Sequence, residues 1–237
     1  LSNDLFAAGS GVRAAHVAAA SWAVPKHIHQ IWIGGPAPVA CAAWAAYAAR
    51  HGWAYRLWDD AALEELGISG DPLWQSMLRR GDLPGAVDVA RYHLLLREGG
   101  LYLDCDWYPA RADLPPEAVL PLRGLSALAE PAPRLVAGDG LLLSNALIAA
   151  PARHPALEHL IATLPAFADR LPDAPAWWVT GPLPFTLAAR LGPVTVLASG
   201  LAADHLPRGT DLREVQSHAA SCEATDAPGF LIAWKSW

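Results

Sequence analysis

Two aspartates one residue apart, Asp104 and Asp106, close an apolar run that begins Leu101-Tyr102-Leu103. On an extended strand alternate side chains share a face. Tyr102, Asp104 and Asp106 are therefore expected on one side, with Leu101, Leu103 and Cys105 on the other. Like charges that close raise each other's pKa unless a cation joins them. A hard divalent ion, Mn²⁺ or Mg²⁺, takes oxygen ligands and keeps positions open for phosphate oxygens. Such a centre holds a nucleoside diphosphate and stabilises it as a leaving group. By itself Asp-x-Asp decides little, since a chain of this Asp content carries roughly one by chance. An Asp pair at a strand end also caps turns. The setting favours chemistry: an aromatic on the same face, an apolar strand, and a helix that ends in Gly99-Gly100 just before it.

That helix is expected over 83–98, with Pro84 in its first turn and Gly99-Gly100 as a left-handed cap. Asp88 and Arg91 lie three apart, hence on one face, and Val87, Leu94 and Leu95 supply an apolar stripe. The pair reads either as a surface ion pair worth ~0–1 kcal/mol or as groups aimed at sugar hydroxyls, Asp accepting and Arg donating. Strands are expected at 27–33, 53–58, 101–107, 141–149 and 194–198. Helices are expected at 3–20, 39–50, 156–164 and 185–191, with Asp59 or Asp60 capping one after the second strand. This alternation predicts one α/β domain, a mostly parallel sheet flanked by helices, with irregular C-terminal additions. Open sheets of this kind bind ligands at the carboxyl ends of their strands, which is where the aspartates fall.

The 237 residues are 53% hydrophobic and 17% charged, which excludes a disordered chain. A net charge of −6 argues against a nucleic-acid binder. Cys41, Cys105 and Cys222 are too few and scattered for a disulfide framework or a zinc site. No apolar run reaches the roughly 18–20 residues of a membrane span, and the opening stretch lacks the order of a signal peptide. A cytoplasmic protein is expected, free or peripheral to the inner membrane face.

Val24-Pro25-Lys26-His27-Ile28-His29-Gln30-Ile31-Trp32-Ile33-Gly34 resembles the opening signature of glycosyltransferase family 32. Asp88-Val89-Ala90-Arg91-Tyr92, followed by Arg97-Glu98-Gly99-Gly100-Leu101-Tyr102-Leu103-Asp104-Cys105-Asp106, is similar to that family's central DXD motif. Leu143-Ser144-Asn145-Ala146 and the closing Ser236-Trp237 fall where such enzymes place further elements, and the clostridial glucosylating toxins resemble the chain more distantly. The resemblance runs from about residue 24 to the end.

It implies a GT-A fold over 1–237: a leading helix within 1–23, a nucleotide-sugar-binding half over 24–110, and an acceptor side with a C-terminal lid over 111–237. It also implies a nucleotide-sugar donor, Mn²⁺ or Mg²⁺, and retention of anomeric configuration. Trp32, with Ile33 beside it, would contact the base, and Asp88 and Arg91 would hold hydroxyls of the donor sugar. Tyr102 and Asp104 would lie near ribose or sugar, Asp106 with Asp104 would form the metal site, and Asn145 would lie near the reacting sugar and diphosphate. Ser236 and Trp237 would close over the phosphates. Relatives carry His residues, and the toxins an acidic residue, shortly before the final Ser-Trp. This chain has Ile232-Ala233-Trp234-Lys235 there, so either that loop's metal or phosphate contact is missing or Lys235 supplies positive charge to the leaving diphosphate instead.

The expected reaction moves a hexose from a UDP-sugar or GDP-sugar to a hydroxyl of a glycan, lipid, small molecule or protein. The bacterial-looking composition favours UDP-hexose over GDP-mannose. Two rivals are a nucleotide-sugar-binding module without catalysis and another metal-dependent nucleotidyl or phosphate transferase. Of the remaining residues, His27 and His29 read as neutral sheet-edge histidines rather than ligands. Trp177-Trp178 reads as core or as an acceptor platform, Glu98 as a helix-end ion partner, and His218 takes no role.

Overall fold

The computed structural model describes residues 10–130 and 141–236. Helix α1 (Ser10–Ala19) precedes strand β1 (His27–Ile31). Helix α2 (Val39–Arg50) buries Ala40, Cys41, Trp44, Tyr47 and Ala48, the spacing of a helix with one apolar side. Strand β2 (Ala54–Trp58) leads to helix α3 (Asp60–Leu66), capped by Asp59, whose Oδ1 accepts the Ala62 amide at 2.9 Å. Helix α4 (Pro72–Arg79), absent from the sequence reading, begins with the same device. Asp71 Oδ1 accepts the Leu73 and Trp74 amides. Helix α5 (Leu83–Glu98) has the expected bounds, with Pro84 in its first turn and Asp82 accepting the Gly85 amide.

The strand expected over 101–107 is split, and this corrects the one-face reading of Tyr102, Asp104 and Asp106. Strand β3 (Gly100–Leu103) ends before the aspartates, residues 104–106 form a turn, and strand β4 (Trp107–Pro109) joins a different sheet. The Asp104 amide still donates to Ala146 O, but its carbonyl accepts from Gln30 Nε2 at 3.1 Å and the Trp107 amide at 3.4 Å, which bends the chain away.

Strands β5 (Leu125–Ala129) and β6 (Leu143–Ala150) follow, then helices α6 (Pro155–Arg170), α7 (Ala176–Val179) and α8 (Pro182–Ala189). Helix α6 runs past its expected end despite Pro165, since Leu157, Leu160, Leu164 and Phe167 keep one side buried. Strands β7 (Val194–Leu197) and β8 (Ala202–His205), helix α9 (Leu212–Ala224) and strand β9 (Leu231–Ala233) complete the described chain.

The main sheet has the order β2-β1-β3-β6-β5-β7, and only β6 runs against the rest. Mostly parallel and flanked by helices, it is the expected α/β architecture. Period-two alternation sends Tyr102 and Ile148 toward Tyr92 and Leu95 of α5, while Leu101, Leu103 and Leu147 face Trp44 and Tyr47 of α2. A second sheet, β4-β9-β8, was not foreseen, and in it β9 pairs antiparallel with β4 and parallel with β8. No described helix is long and apolar enough to cross a membrane.

The Gly99-Gly100 step locks α5 to β3. Gly100 has φ 105°, and a Cβ there would lie 2.6 Å from the His27 carbonyl oxygen. His29 fills the space beside it: Trp58 Nε1 donates to its Nδ1 at 3.1 Å and its Nε2 donates to Gly99 O at 3.0 Å. With both ring nitrogens used and its pKa lowered to about 3, first by burial, His29 is a neutral structural histidine and no metal ligand. Glu98 pairs with Arg97 at 3.2 Å, the helix-end role expected of it. Elsewhere α1 packs on α6 through fully buried His16 and His154, whose rings meet edge-on at 4.7 Å. His154 Nδ1 accepts the Ala156 amide, and burial, reinforced by His16, holds its pKa down at about 3.

Two outcomes follow. Gly100→Ala should cost about 3 kcal/mol, from positive φ together with the carbonyl contact, and lower the urea midpoint accordingly. Because His154 is depressed in the folded state, its stabilising contribution is present above pH 6.5 and lost as pH falls toward 3. Asp88 and Asp106, both raised to about 6, act with the opposite sign, so the comparison must be between variants. The stability difference between wild type and His154→Asn should be largest near neutrality and shrink by about 2–3 kcal/mol by about pH 4.5 in denaturant titrations.

Candidate functional site

Helix α5 and the reversed strand β6 bring the sequence candidates together. Pairing of Leu103 with Leu147 sets Asn145, near the start of β6, level with the turn that follows β3. Arg91 and Asp88 project to the same level from α5, and neither is a surface residue: Asp88 is 6% exposed and Arg91 4%. The ion-pair reading as an ordinary surface contact is thereby set aside.

Arg91 connects the group. Its Nη2 lies 3.0 Å from Asp104 Oδ1 and 3.2 Å from Asp88 Oδ1, while Nη1 donates to Asn145 O at 2.6 Å. The guanidinium carbon stands 4.6 Å from the centre of the Tyr102 ring, whose hydroxyl donates to Asp104 Oδ1 at 2.8 Å. Asn145 Nδ2 donates to Asp88 Oδ1 at 2.7 Å and approaches Tyr92 Oη at 2.9 Å. Thr180 Oγ1 donates to Asp88 Oδ2 at 3.0 Å, and Tyr92 Oη donates to Thr180 O at 2.8 Å. Asp88 is nevertheless raised to about 6, since burial outweighs Arg91 and Asp104 adds repulsion. Arg91 is raised as well: burial disfavours its charge, but Asp104, Tyr102 and Asp88 together outweigh that and secure the protonated form.

Tyr92 and Thr180 are the members that sequence reasoning did not assign. Tyr92 stood inside the quoted Asp88–Tyr92 motif. Thr180 had only the Thr180-Gly181-Pro182 turn as a signal, and Gly181 leaves just enough room, since a Cβ there would come within 3.2 Å of Asp88 Oδ2.

Asp104 and Asp106 form the wall between two cavities. One, about 470 Å³, is lined by Trp32, Ile33, Leu83, Val87 and Arg91 besides the two aspartates. The other, about 700 Å³, contains Asn145, Glu130, Trp177, Arg208 and Lys235. Trp177 thus faces the larger cleft, whereas Trp178 is exposed. Asp106 is raised to about 6, by burial and then by Asp104, with Lys235 lowering it. Trp234 donates its amide to Asp106 O at 2.8 Å, so β9 carries the segment 234–236 against the aspartate turn. Ser236 Oγ is buried with no hydrogen-bond partner among the described residues, and Trp237 lies outside the described residues.

A hard divalent cation fits this donor set. Both aspartates present oxygens, the hydrogen bonds to the Asp104 carboxylate use Oδ1, and Asp88, Asp104 and Asp106 crowd one site against the positive charge of Arg91 and Lys235.

Neither a protein-family model nor a curated protein matches the chain. Among solved structures it is similar to the PaToxG glycosyltransferase, at TM-score 0.55 and 14% identity, over 94% of this chain and 86% of that one. The fold is shared with a glycosyltransferase. A further similarity, to the UDP-bound glycosyltransferase domain from the YGT toxin, has TM-score 0.46 and 11% identity over 75% of this chain and 80% of that one.

The buried network yields a stability prediction. Arg91→Met should cost about 3–5 kcal/mol by leaving Asp88 buried without its cation. Adding Asp88→Asn should return part of that loss, a non-additivity that denaturant unfolding of the two variants and the double variant would expose.

Proposed function

We propose that the chain is a glycosyltransferase that moves a hexose from a nucleoside-diphosphate sugar to an acceptor hydroxyl. The observation that carries this reading is the position of Asp104 and Asp106 between two cavities of different character. The smaller, with Trp32 and Ile33, suits a base and ribose: the indole offers a stacking face and the apolar wall excludes water. The larger, more polar in its lining and beside Asn145, suits the sugar and its acceptor. A diphosphate joining the two would lie against the aspartate turn. The fold shared with the PaToxG glycosyltransferase supports the reading.

Asp106, with Asp104, would hold Mn²⁺ or Mg²⁺, which when bound supplies positive charge to phosphate oxygens. Asp104 keeps one oxygen on Arg91 and Tyr102, so Asp106 is the more direct ligand. Arg91 and Asp88 orient donor-sugar hydroxyls from below, and Asn145 fixes Asp88 for that role. Lys235 and the Ser236 hydroxyl would face the departing diphosphate and close over it as a lid. Ordering of that lid would exclude water and limit hydrolysis. Asp88 is committed to Arg91, Asn145 and Thr180, which makes it a poor covalent nucleophile. Front-face transfer follows: the acceptor oxygen bonds to the anomeric carbon as the carbon–phosphate oxygen bond breaks, and the acceptor proton passes to that phosphate oxygen. Configuration is retained. UDP-hexoses are the first donors to try and GDP-mannose the second.

Incubation with these donors and Mn²⁺ should release the nucleoside diphosphate. Release of the monophosphate or of pyrophosphate would instead mark a nucleotidyl or phosphate transferase. Binding without turnover across a broad acceptor panel would mark a non-catalytic module. Asp106→Ala should lower donor hydrolysis and transfer on the order of a hundredfold or more. Wild-type rates in that variant would sink the proposal. Trp32→Ala should weaken nucleoside-diphosphate binding about tenfold while the folded state persists, read by calorimetric titration.

A further inference from the structure

Asp204, His218 and Cys222 stand apart from the aspartate turn and take no part in the reaction proposed above. His218 and Cys222 are four residues apart on α9, so they lie one above the other on a single face. Asp204 reaches toward them from β8, with Oδ2 2.8 Å from His218 Nε2. The carboxylate oxygen, imidazole nitrogen and thiol sulfur all lie within 4.8 Å of one another. Cysteine spacing gave no sign of this, because only one thiol contributes and the carboxylate comes from another element.

We propose that Asp204, His218 and Cys222 form a zinc site that clamps β8 to α9. One sulfur, one nitrogen and one oxygen donor make a borderline-soft set, which suits Zn²⁺ far better than the hard ions that Asp104 and Asp106 suit. A thiolate and a carboxylate balance the dication with no charge left over. Tetrahedral zinc with bonds of about 2.0–2.3 Å puts its ligand atoms roughly 3.3–3.8 Å apart. The short Asp204–His218 contact must therefore open slightly and the widest pair close by about one ångström, a matter of side-chain rotation. Cys222 is buried, while His218 and Asp204 are 36% and 42% exposed, which leaves the fourth position open to water. Binding would release the Cys222 proton as the sulfur–zinc bond forms. Without a cation, burial and then Asp204 hold the Cys222 thiol protonated, with Arg111 opposing them only in part, so the metal itself must supply the charge that stabilises the thiolate.

The site has a consequence for the larger cleft. His205, Leu206 and Arg208, which line it, directly follow Asp204. Fixing Asp204 to α9 would therefore stiffen one wall of the cleft at a distance from the aspartate turn.

Untagged, metal-stripped protein titrated with Co²⁺ should develop a thiolate-to-cobalt charge-transfer band. Zn²⁺ should bleach that band at one equivalent, and an excess of Mg²⁺ should not. Zn²⁺ should also raise the thermal midpoint by several degrees. Cys222→Ser should abolish the band, His218→Ala should weaken Zn²⁺ binding at least about tenfold, and Asp106→Asn should leave both intact. Should Cys222→Ser fail to fold by circular dichroism, His218→Ala, at a partly exposed position, carries the test alone. No thiolate band in the wild type, Zn²⁺ affinity unchanged in His218→Ala, or loss of zinc binding in Asp106→Asn would each overturn the proposal.

Discussion

A guanidinium in a protein interior costs several kcal/mol to desolvate and stays there only when its hydrogen bonds are met with good geometry. Arg91 is such a group: its two terminal nitrogens are paired while Nε has no partner among the described residues, and pairing those two dictates how three segments must converge. Asp88 comes from the same helix, Asp104 from the end of β3, and the Asn145 carbonyl from the start of β6. A parallel strand in place of β6 would deliver its far end to this level. The single reversed strand in the main sheet is thus the topological counterpart of one buried cation. Asp88 then brings in Thr180, and Thr180 brings in Tyr92, which spreads the requirement from the sheet to α7 and back to α5.

The parts written in local chemistry were legible in the sequence. Gly99-Gly100 announced the end of α5 because a positive φ is accessible to glycine at little cost. Asp59 announced a cap, since an Asx side chain can accept the free amides of a first turn. Asp88 and Arg91 were recognisable as a pair, yet their burial was not, since spacing says who is adjacent and not what covers them. The split of 101–107 was hidden for a similar reason. Tyr-Leu-Asp-Cys-Asp-Trp-Tyr alternates well enough for one strand, and it breaks where the Asp104 carbonyl accepts from Gln30, reaching across from β1, and from the Trp107 amide. Thr180 and the β4-β9-β8 sheet depend on pairings across long stretches of chain, and no local signal carries them.

The two cavities beside Asp104 and Asp106 divide the site by polarity. Trp32 and Ile33 offer contact area and few hydrogen bonds, while the larger cleft offers carboxylate, amide, guanidinium and ammonium groups. Discrimination between donor bases is expected to be gentle where apolar contact dominates. It is expected to be sharp where a missing hydroxyl would leave a buried polar group unpaired.

Strand β9 is hydrogen-bonded to β4, and the Trp234 amide is hydrogen-bonded to the Asp106 carbonyl. The aspartate turn and the chain's last described segment are therefore one cooperative unit, although more than a hundred residues of sequence separate them. Local opening of either must break the same amide–carbonyl links. Hydrogen exchange at Trp234 would consequently follow the order of a turn it does not belong to. It offers a reporter on the carboxylates from a residue far from them in sequence.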